Sequence, residues 1–483
     1  MHRPLSSVRL AEFIDRHQAT LACVIATLFL LALHYDYNFT RFHYDSDHYW
    51  ALATFENLRT ERSIRGYFFP ALLTPLHYLT TVTGYPLLTY RAGMSLTYGV
   101  LLTTLLPAAF RQAFGGRLSV LRRLVPVVLL AILFPGMLLY PLSDLPAVLL
   151  AFTALMCALR GLAATGSRKR FIGMLFAAGI LMGAAYNTRT IYLFGGVPLG
   201  LLTVLTIRGA WAKAPFPRWV GLAAFAAGVL LVSLPQAAIN KYTHGVNSLA
   251  VQSDIDNKSL FATQLVRGMT LQRYETTLYA DALSSHAYYF DPAGAKLFRD
   301  TMDGGDLFSL RYYLKVVVLH PLDFLALYSR HVINGLDVRD GLVYTHKPSP
   351  LRNRTALFNF LVLALAAWVA VSVRARTVQP GDSGWRAVPA SWPISLALVV
   401  LPVLAIVPGG IETRFFLPLH MLAYCVIAFH FDAQQLRRDF ALHWRILLAS
   451  LLLAAGTFFA VTLSTMATHR YDWPEPYSHQ MAQ

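Results

Sequence analysis

Charge is what this sequence has least of. Asp, Glu, Lys and Arg together make up 14% of its 483 residues, where an average soluble chain carries about 25%. A water-facing surface cannot be built from so few charges, which excludes a soluble globular domain. Cysteine is scarce too. Cys23, Cys157 and Cys425 all stand in apolar stretches without metal-ligand spacing, so neither a disulfide framework nor a cysteine-held metal is expected, and they read as small core residues. Internal repeats and low-complexity tracts are absent, which excludes solenoids and long disordered linkers. What is present is apolar: 56% of residues are hydrophobic and the mean hydropathy is +0.47. The apolar runs recur from end to end, so one anchor on a soluble body is excluded as well. The class is an all-α polytopic membrane helix bundle.

Apolar runs of the required length, about 20 residues, predict about eleven transmembrane helices. They lie near 18–34, 89–110, 123–140, 143–160, 171–187, 190–207, 219–238, 356–373, 392–409, 414–430 and 446–465. The net charge of +16 suggests nucleic acid in a soluble protein. Here the basic residues sort by loop, and no nucleic-acid partner is expected. Arg3, Arg9 and Arg16 precede the first helix. Arg111, Arg117, Arg122 and Arg123 follow the second, Arg160, Arg168, Lys169 and Arg170 the fourth, and Arg208, Lys213 and Arg218 the sixth. Arg374, Arg376 and Arg386 follow the eighth, and Arg437, Arg438 and Arg445 the tenth. With eleven helices all these loops share one side, which the positive-inside rule makes cytoplasmic. The N-terminus is then cytoplasmic and the C-terminus periplasmic.

Two large segments fall on the opposite side, 35–88 and 239–355. Both are expected to carry amphipathic helices lying on the membrane. Asp47–Arg62 places Tyr49, Trp50, Leu52, Phe55 and Leu58 roughly on one helical face, and Arg311–His331 is apolar but broken by His320-Pro321 and Asp323. The chain divides as 1–238, an N-terminal transmembrane module with the first outer loop; 239–355, the large outer segment; and 356–483, the C-terminal helices with a short tail.

Ionisable residues are costly inside a bilayer and mark function when they occur there. This chain keeps them out of most helix middles and gathers several at the outer ends: Asp45 and Asp47, Asp144, Arg189, then Glu412 and Arg414, with His420 about two turns deeper. Carboxylates at that boundary can take a proton from a hydroxyl, and arginines can clamp a phosphate with bidentate charged bonds. The set suits a lipid-phosphate substrate whose head group lies outside.

The order Asp45-Ser46-Asp47-His48-Tyr49-Trp50, Arg65-Gly66-Tyr67-Phe68-Phe69-Pro70, Leu142-Ser143-Asp144, Thr188-Arg189 and Glu412-Thr413-Arg414-Phe415-Phe416-Leu417-Pro418 resembles the GT-C superfamily of integral-membrane glycosyltransferases. That superfamily includes the protein O-mannosyltransferases and the aminoarabinose transferases that modify lipid A. The resemblance implies a polyprenyl-phosphate sugar donor, a glycan or glycolipid acceptor in the cell envelope, and inverting transfer on the periplasmic face of a bacterial inner membrane. It also implies an essential Asp in an Asp-x-x-x-Tyr-like pattern, matched by Asp45 with Tyr49. Asp45 and Asp47 are both catalytic candidates, and Tyr49, Arg65, Asp144, Arg189, Glu412, Arg414 and His420 are substrate-binding candidates. No cofactor is required by the pattern, though Asp45 could instead orient a divalent cation, Mg or Mn, that activates the acceptor hydroxyl in its place, with His43 and His48 as candidate ligands beside it.

Each candidate has a structural alternative. Asp45, Asp47 and Asp144 stand where helix caps belong. Arg189 and Arg414 could anchor to lipid head groups, Glu412 could pair with a nearby Arg, Arg62 and Arg65 could be solvated, and His420 could be a hydrogen-bonded bundle residue. An O-antigen polymerase or ligase, with many spans and outer-facing arginines, is the nearest rival function. A lipid-linked sugar flippase would place its working charges nearer the middle of the membrane.

Overall fold

A computed structural model describes residues 5–61, 63–164, 167–204, 218–255, 258–278, 286–301, 309–344, 348–377 and 391–471. Arg3, Arg62, Arg208, Lys213 and Arg386 lie outside the described residues, as does the tail from 472 onward. The chain is a helical bundle with almost no sheet. Strand pairing among the described residues comprises two antiparallel hairpins, Asp254–Ile255 with Lys258–Ser259 and Leu271–Thr276 with His286–Phe290, and an isolated bridge between Tyr288 and Arg470.

Eight helices among the described residues are long and apolar enough to cross a membrane: Arg16–Tyr37, Pro86–Phe114, Asp144–Leu162, Arg168–Thr188, Trp219–His244, Arg352–Val373, Thr413–His430 and Leu448–Thr465. The chain is therefore a multi-pass membrane protein. The other three expected spans are shorter helices. Val120–Leu133 stops at Phe134 because Pro135 follows and disfavours a helical residue before it, and Pro135–Leu139 then forms a separate turn. Leu193–Val204 runs into residues outside the described set, and Ser391–Ile406 ends just before Pro408-Gly409. The expected span 89–110 is observed as a longer helix with a π-turn at Leu101–Leu105. Pro107 has no N–H to offer the carbonyl of Thr103, and Arg123 donates to that oxygen instead, at 2.6 Å.

Asp144–Leu162 is the central helix, with 67% of its span window buried, whereas Leu448–Thr465, at 11%, lies on the rim. Its neighbour Arg168–Thr188 packs closely on Arg218–His244 because both are small at the crossing. A Cβ on Gly179 would come within 2.0 Å of the Phe225 carbonyl oxygen, and one on Gly228 within 2.2 Å of the Phe176 carbonyl oxygen. This is the small-residue packing that lets membrane helices meet without a hydrophobic driving force.

The two ends of the bundle differ. At one end Arg122 donates to the carbonyls of Ala428 and Phe431, and Arg117 pairs with Asp432 at 3.7 Å. The starts of Asp144–Leu162 and Leu417–His430, and the end of Arg168–Thr188, all point the other way. That other end carries the hairpin Leu271–Thr276 and a bent helix pair, Leu310–Leu319 and Pro321–Leu336.

Two expectations for 35–88 are corrected. Asp47–Arg62 is two short helices, Tyr44–Ala51 and Phe55–Thr60, because Thr54 caps the second by accepting from the Asn57 N–H at 3.1 Å. Phe55 is consequently 84% exposed while Tyr49 and Leu52 are buried, so the five residues do not share one face. An apolar helix, Phe68–Val82, also lies where a loop was expected; the prolines Pro70 and Pro75 within it masked its periodicity.

Candidate functional site

The first loop is built to hold one carboxylate. Tyr44, the residue before Asp45, has a φ of +46°, a left-handed backbone that costs a non-glycine residue about 1–3 kcal/mol. It is retained by contacts on both sides. The Tyr44 hydroxyl donates to the Thr277 carbonyl at 3.1 Å, and the Ser46 N–H donates to the Tyr344 hydroxyl at 3.2 Å. His43 caps the helix reciprocally with Ser46. Neither Asp45 nor Asp47 is the cap, and the two carboxylates diverge. Asp47 is exposed, and Asp45 turns inward with its side chain 21% exposed.

Asp45 is gripped by two arginines from distant segments. Arg65 pairs with one carboxylate oxygen, and Arg414 reaches the other at 2.9 Å. Burial alone would push this carboxyl up; the two guanidiniums outweigh burial and hold it at about 2. Arg414 also pairs with Glu412, whose other oxygen accepts from the Thr276 hydroxyl at 2.8 Å. Arg65 lies over the Tyr49 ring at 5.1 Å, and the Tyr49 hydroxyl meets Ser143 at 2.9 Å. Beside Ser143, Asp144 pairs with Arg189 through one oxygen, while its other oxygen is buried without a hydrogen-bond partner. Arg189 and Arg414 both lie against the ring of Phe415, at 4.9 and 5.5 Å, so one aromatic residue supports both guanidiniums. Three arginines and three carboxylates thus alternate across five chain segments, balanced in charge.

A buried amide chain fixes this arrangement. Asn187, two residues before Arg189, accepts from the Phe68 N–H at 2.8 Å and donates to Gln236 at 3.0 Å. Gln236 also accepts from the Tyr67 N–H and donates to Asn240 at 2.8 Å. A Cβ at Gly66 would overlap the Asn187 carbonyl oxygen at 1.8 Å. Glycine is what lets the Arg65 segment dock there.

A second ionic network lies beyond Glu412. Buried Arg273 pairs with Glu275 and donates to the carbonyls of Asn334 and Asp337. Arg352 spans Glu275 at 3.5 Å and Asp340 at 3.3 Å, and Arg339 pairs with Asp337 at 2.6 Å. Burial raises the Asp340 carboxyl, whereas Glu275 is held low because Arg273 and Arg352 outweigh its burial. Between this network and the Glu412–Arg414 pair lies a cavity of about 40 Å³, lined also by Tyr274, Thr276 and Gly341. That is room for a few water molecules. Burial lowers the imidazole of His286, across the hairpin from Thr276, below its ordinary value.

Of the residues singled out from sequence, Asp45, Tyr49, Arg65, Asp144, Arg189, Glu412 and Arg414 come together. Asp47 faces away. His420 sits elsewhere in the bundle, bonded to the Phe416 and Leu336 carbonyls. His48 bonds Ser63. Phe415, Thr276, Ser143 and Tyr344 were not anticipated as contributors. Ser143 and Phe415 adjoin predicted residues, but nothing in the sequence marks Thr276 or Tyr344. Among the described residues no three His, Cys, Asp or Glu side chains converge as metal ligands, and every carboxylate of the cluster is already held by an arginine, a donor set that does not fit Mg or Mn. The chain matches no family model, no curated protein and no solved structure.

Proposed function

We propose that this protein is a glycosyltransferase of the bacterial inner membrane that moves a sugar from a polyprenyl-phosphate donor to a glycan or glycolipid of the cell envelope. The observation that carries the reading is the meeting of Asp45 with Arg65 and Arg414, and of Asp144 with Arg189, at one end of a membrane bundle. The end bearing Arg117 and Arg122 is taken as cytoplasmic by the positive-inside rule, which puts the cluster on the periplasmic face.

In this scheme the donor phosphate takes up guanidinium forks now occupied by Asp45 and Asp144. The exchange matters for catalysis. A carboxylate held at about 2 is fully ionised but weakly basic, and it gains basicity as phosphate draws Arg65 and Arg414 away. The acceptor hydroxyl oxygen then bonds to the sugar's anomeric carbon from the side opposite the phosphate. The carbon–oxygen bond to phosphate breaks, its electron pair leaves with prenyl phosphate, and the hydroxyl proton passes to Asp45. Configuration inverts. The arginines stabilise the charge growing on the leaving phosphate, and no step is routed through a metal.

The test is mass spectrometry of envelope glycolipids from cells with and without the gene. A species lighter by one sugar in the deletion strain, restored by the native gene and not by Asp45→Asn, supports the reading. An unchanged glycolipid profile with accumulated unpolymerised repeat units would favour a polymerase or ligase instead.

A further inference from the structure

The bent pair Leu310–Leu319 and Pro321–Leu336 has two unlike faces. Tyr312, Tyr313, Val316, Phe324 and Leu327 are buried against Leu265, Val266, Met269 and Phe298. The opposite face is apolar and open: Leu314 is 50% exposed, Val318 76%, Leu319 62%, Leu322 77% and Leu325 63%. Large apolar residues bared together on a folded chain mark a contact surface. The most exposed of them flank the bend at His320-Pro321.

Geometry decides how this surface can meet a bilayer. The arms have 10 and 16 residues, about 15 and 24 Å at 1.5 Å per residue. With a bend of 107° their far ends are only about 24 Å apart, short of the roughly 30 Å of a hydrocarbon core. The pair cannot cross as a span. Depth is limited as well, because Asp323 stands beside the bend with its side chain 67% exposed, 3.6 Å from His320. A charge there is tolerated at the head-group boundary and not in the acyl interior.

We infer that this helix pair is an elbow seated shallowly in the lipid leaflet on the cluster's side of the membrane, with Val318, Leu319, Leu322 and Leu325 among the upper acyl chains. The elbow is fixed to the site. Its second arm supplies the Asn334 carbonyl that Arg273 binds and the Leu336 carbonyl that accepts from Asn359 at 2.7 Å. Arg273 lies on the same strand as Thr276, which bonds Glu412. Seating the elbow therefore sets the height of the cluster above the bilayer plane, whatever reaction the cluster performs.

The test uses the full chain in nanodiscs of mixed zwitterionic and anionic lipid. Its three cysteines are replaced by serine or alanine, and one fluorophore is placed at Leu322→Cys or Leu325→Cys, with Lys296→Cys on the neighbouring polar helix as the water-facing control. Lipids spin-labelled just below the head group should quench the elbow positions severalfold more than lipids labelled near the chain end, and aqueous iodide should quench them severalfold less than the control. Stronger quenching by chain-end labels would mean a deep or crossing segment. Iodide quenching equal to the control would mean a surface in water, and protection from both lipid and iodide would mean a protein partner or second copy covers it. Any of these three overturns the elbow.

Discussion

The chain holds two buried ionic networks side by side, and they are built differently. Around Arg273, the network is anchored to the backbone. Arg273 and Asp337 are almost fully buried, and the Arg273 guanidinium is tied to two backbone carbonyls as well as to Glu275. Around Asp45, the carboxylate is held by side chains, Arg65 from 20 residues further on and Arg414 from the C-terminal part of the chain, the side chains of Asp45 and Arg65 stay 21% and 29% exposed, and Arg414 is shared between two carboxylates. A network anchored to the backbone cannot release its arginine without breaking those bonds as well. A shared and partly exposed one can exchange partners, which is what binding a phosphate requires. On the proposed reading the contrast separates a strut from a site, although both are made of the same residue types.

The sharpest way to break the comparison is to remove one charge from each network. Asp45→Asn keeps size and most hydrogen bonding but removes the proposed proton acceptor; turnover should fall about 10²–10⁴-fold while donor binding persists. Asp47→Asn, changed on the exposed side of the same helix, should leave turnover within about twofold. Arg273→Met should do the reverse. It removes one of the two arginines that hold buried Glu275, together with a donor to two buried carbonyls, which costs about 3–5 kcal/mol, read as a lower unfolding midpoint and reduced folded yield. Activity per folded molecule should change far less. If Asp45→Asn unfolds the protein and Arg273→Met silences it while folded, the two roles are exchanged.

A smaller effect sharpens the claim that the Asp45 cluster exchanges partners. Arg414→Lys and Arg189→Lys retain charge but lose the planar fork. One charged hydrogen bond is worth roughly 1.5–3 kcal/mol, so donor affinity should fall about ten- to hundredfold in equilibrium binding to nanodiscs. Unchanged binding in both variants would make these arginines lipid anchors or structural partners.

The smallest effect is in pH. The carboxyl of Asp45 is lowered on folding from an ordinary 3.8 to about 2. A lowered acid stabilises the fold above its unfolded value and loses that contribution as pH falls, here between about 5 and 2, by about 2 kcal/mol at most. Chemical unfolding measured across that range should show a shallower acid slope in Asp45→Asn than in the native protein. An identical slope would mean that Asp45 is not held by its arginines.

Much of the working end was legible because membrane physics makes it so. Lipid forbids stray charges, so Asp144, Arg189, Glu412 and Arg414 at the ends of apolar runs stand out, and alternation of basic loops places them on one side. The strut was not legible. Arg273, Glu275, Asp337 and Arg352 lie in a polar segment where charges are ordinary, and only the pairing of Leu271–Thr276 with His286–Phe290 brings them inside. Which of Asp45 and Asp47 turns inward was equally hidden, because it depends on His43 and Ser46 capping the helix and on Tyr44 adopting a positive φ. The single amphipathic face expected over Asp47–Arg62 failed for a local reason, the cap at Thr54, which periodicity alone does not weigh.

The central claim is tested most directly by one reaction. Purified protein in proteoliposomes is given polyprenyl-phosphate sugars as the only donors and envelope glycolipids as acceptors, and the lipids are read by mass spectrometry. The account predicts an acceptor heavier by one sugar together with an equal amount of free prenyl phosphate, both lost in Asp45→Asn. Folded protein that neither binds these donors nor forms product would contradict it.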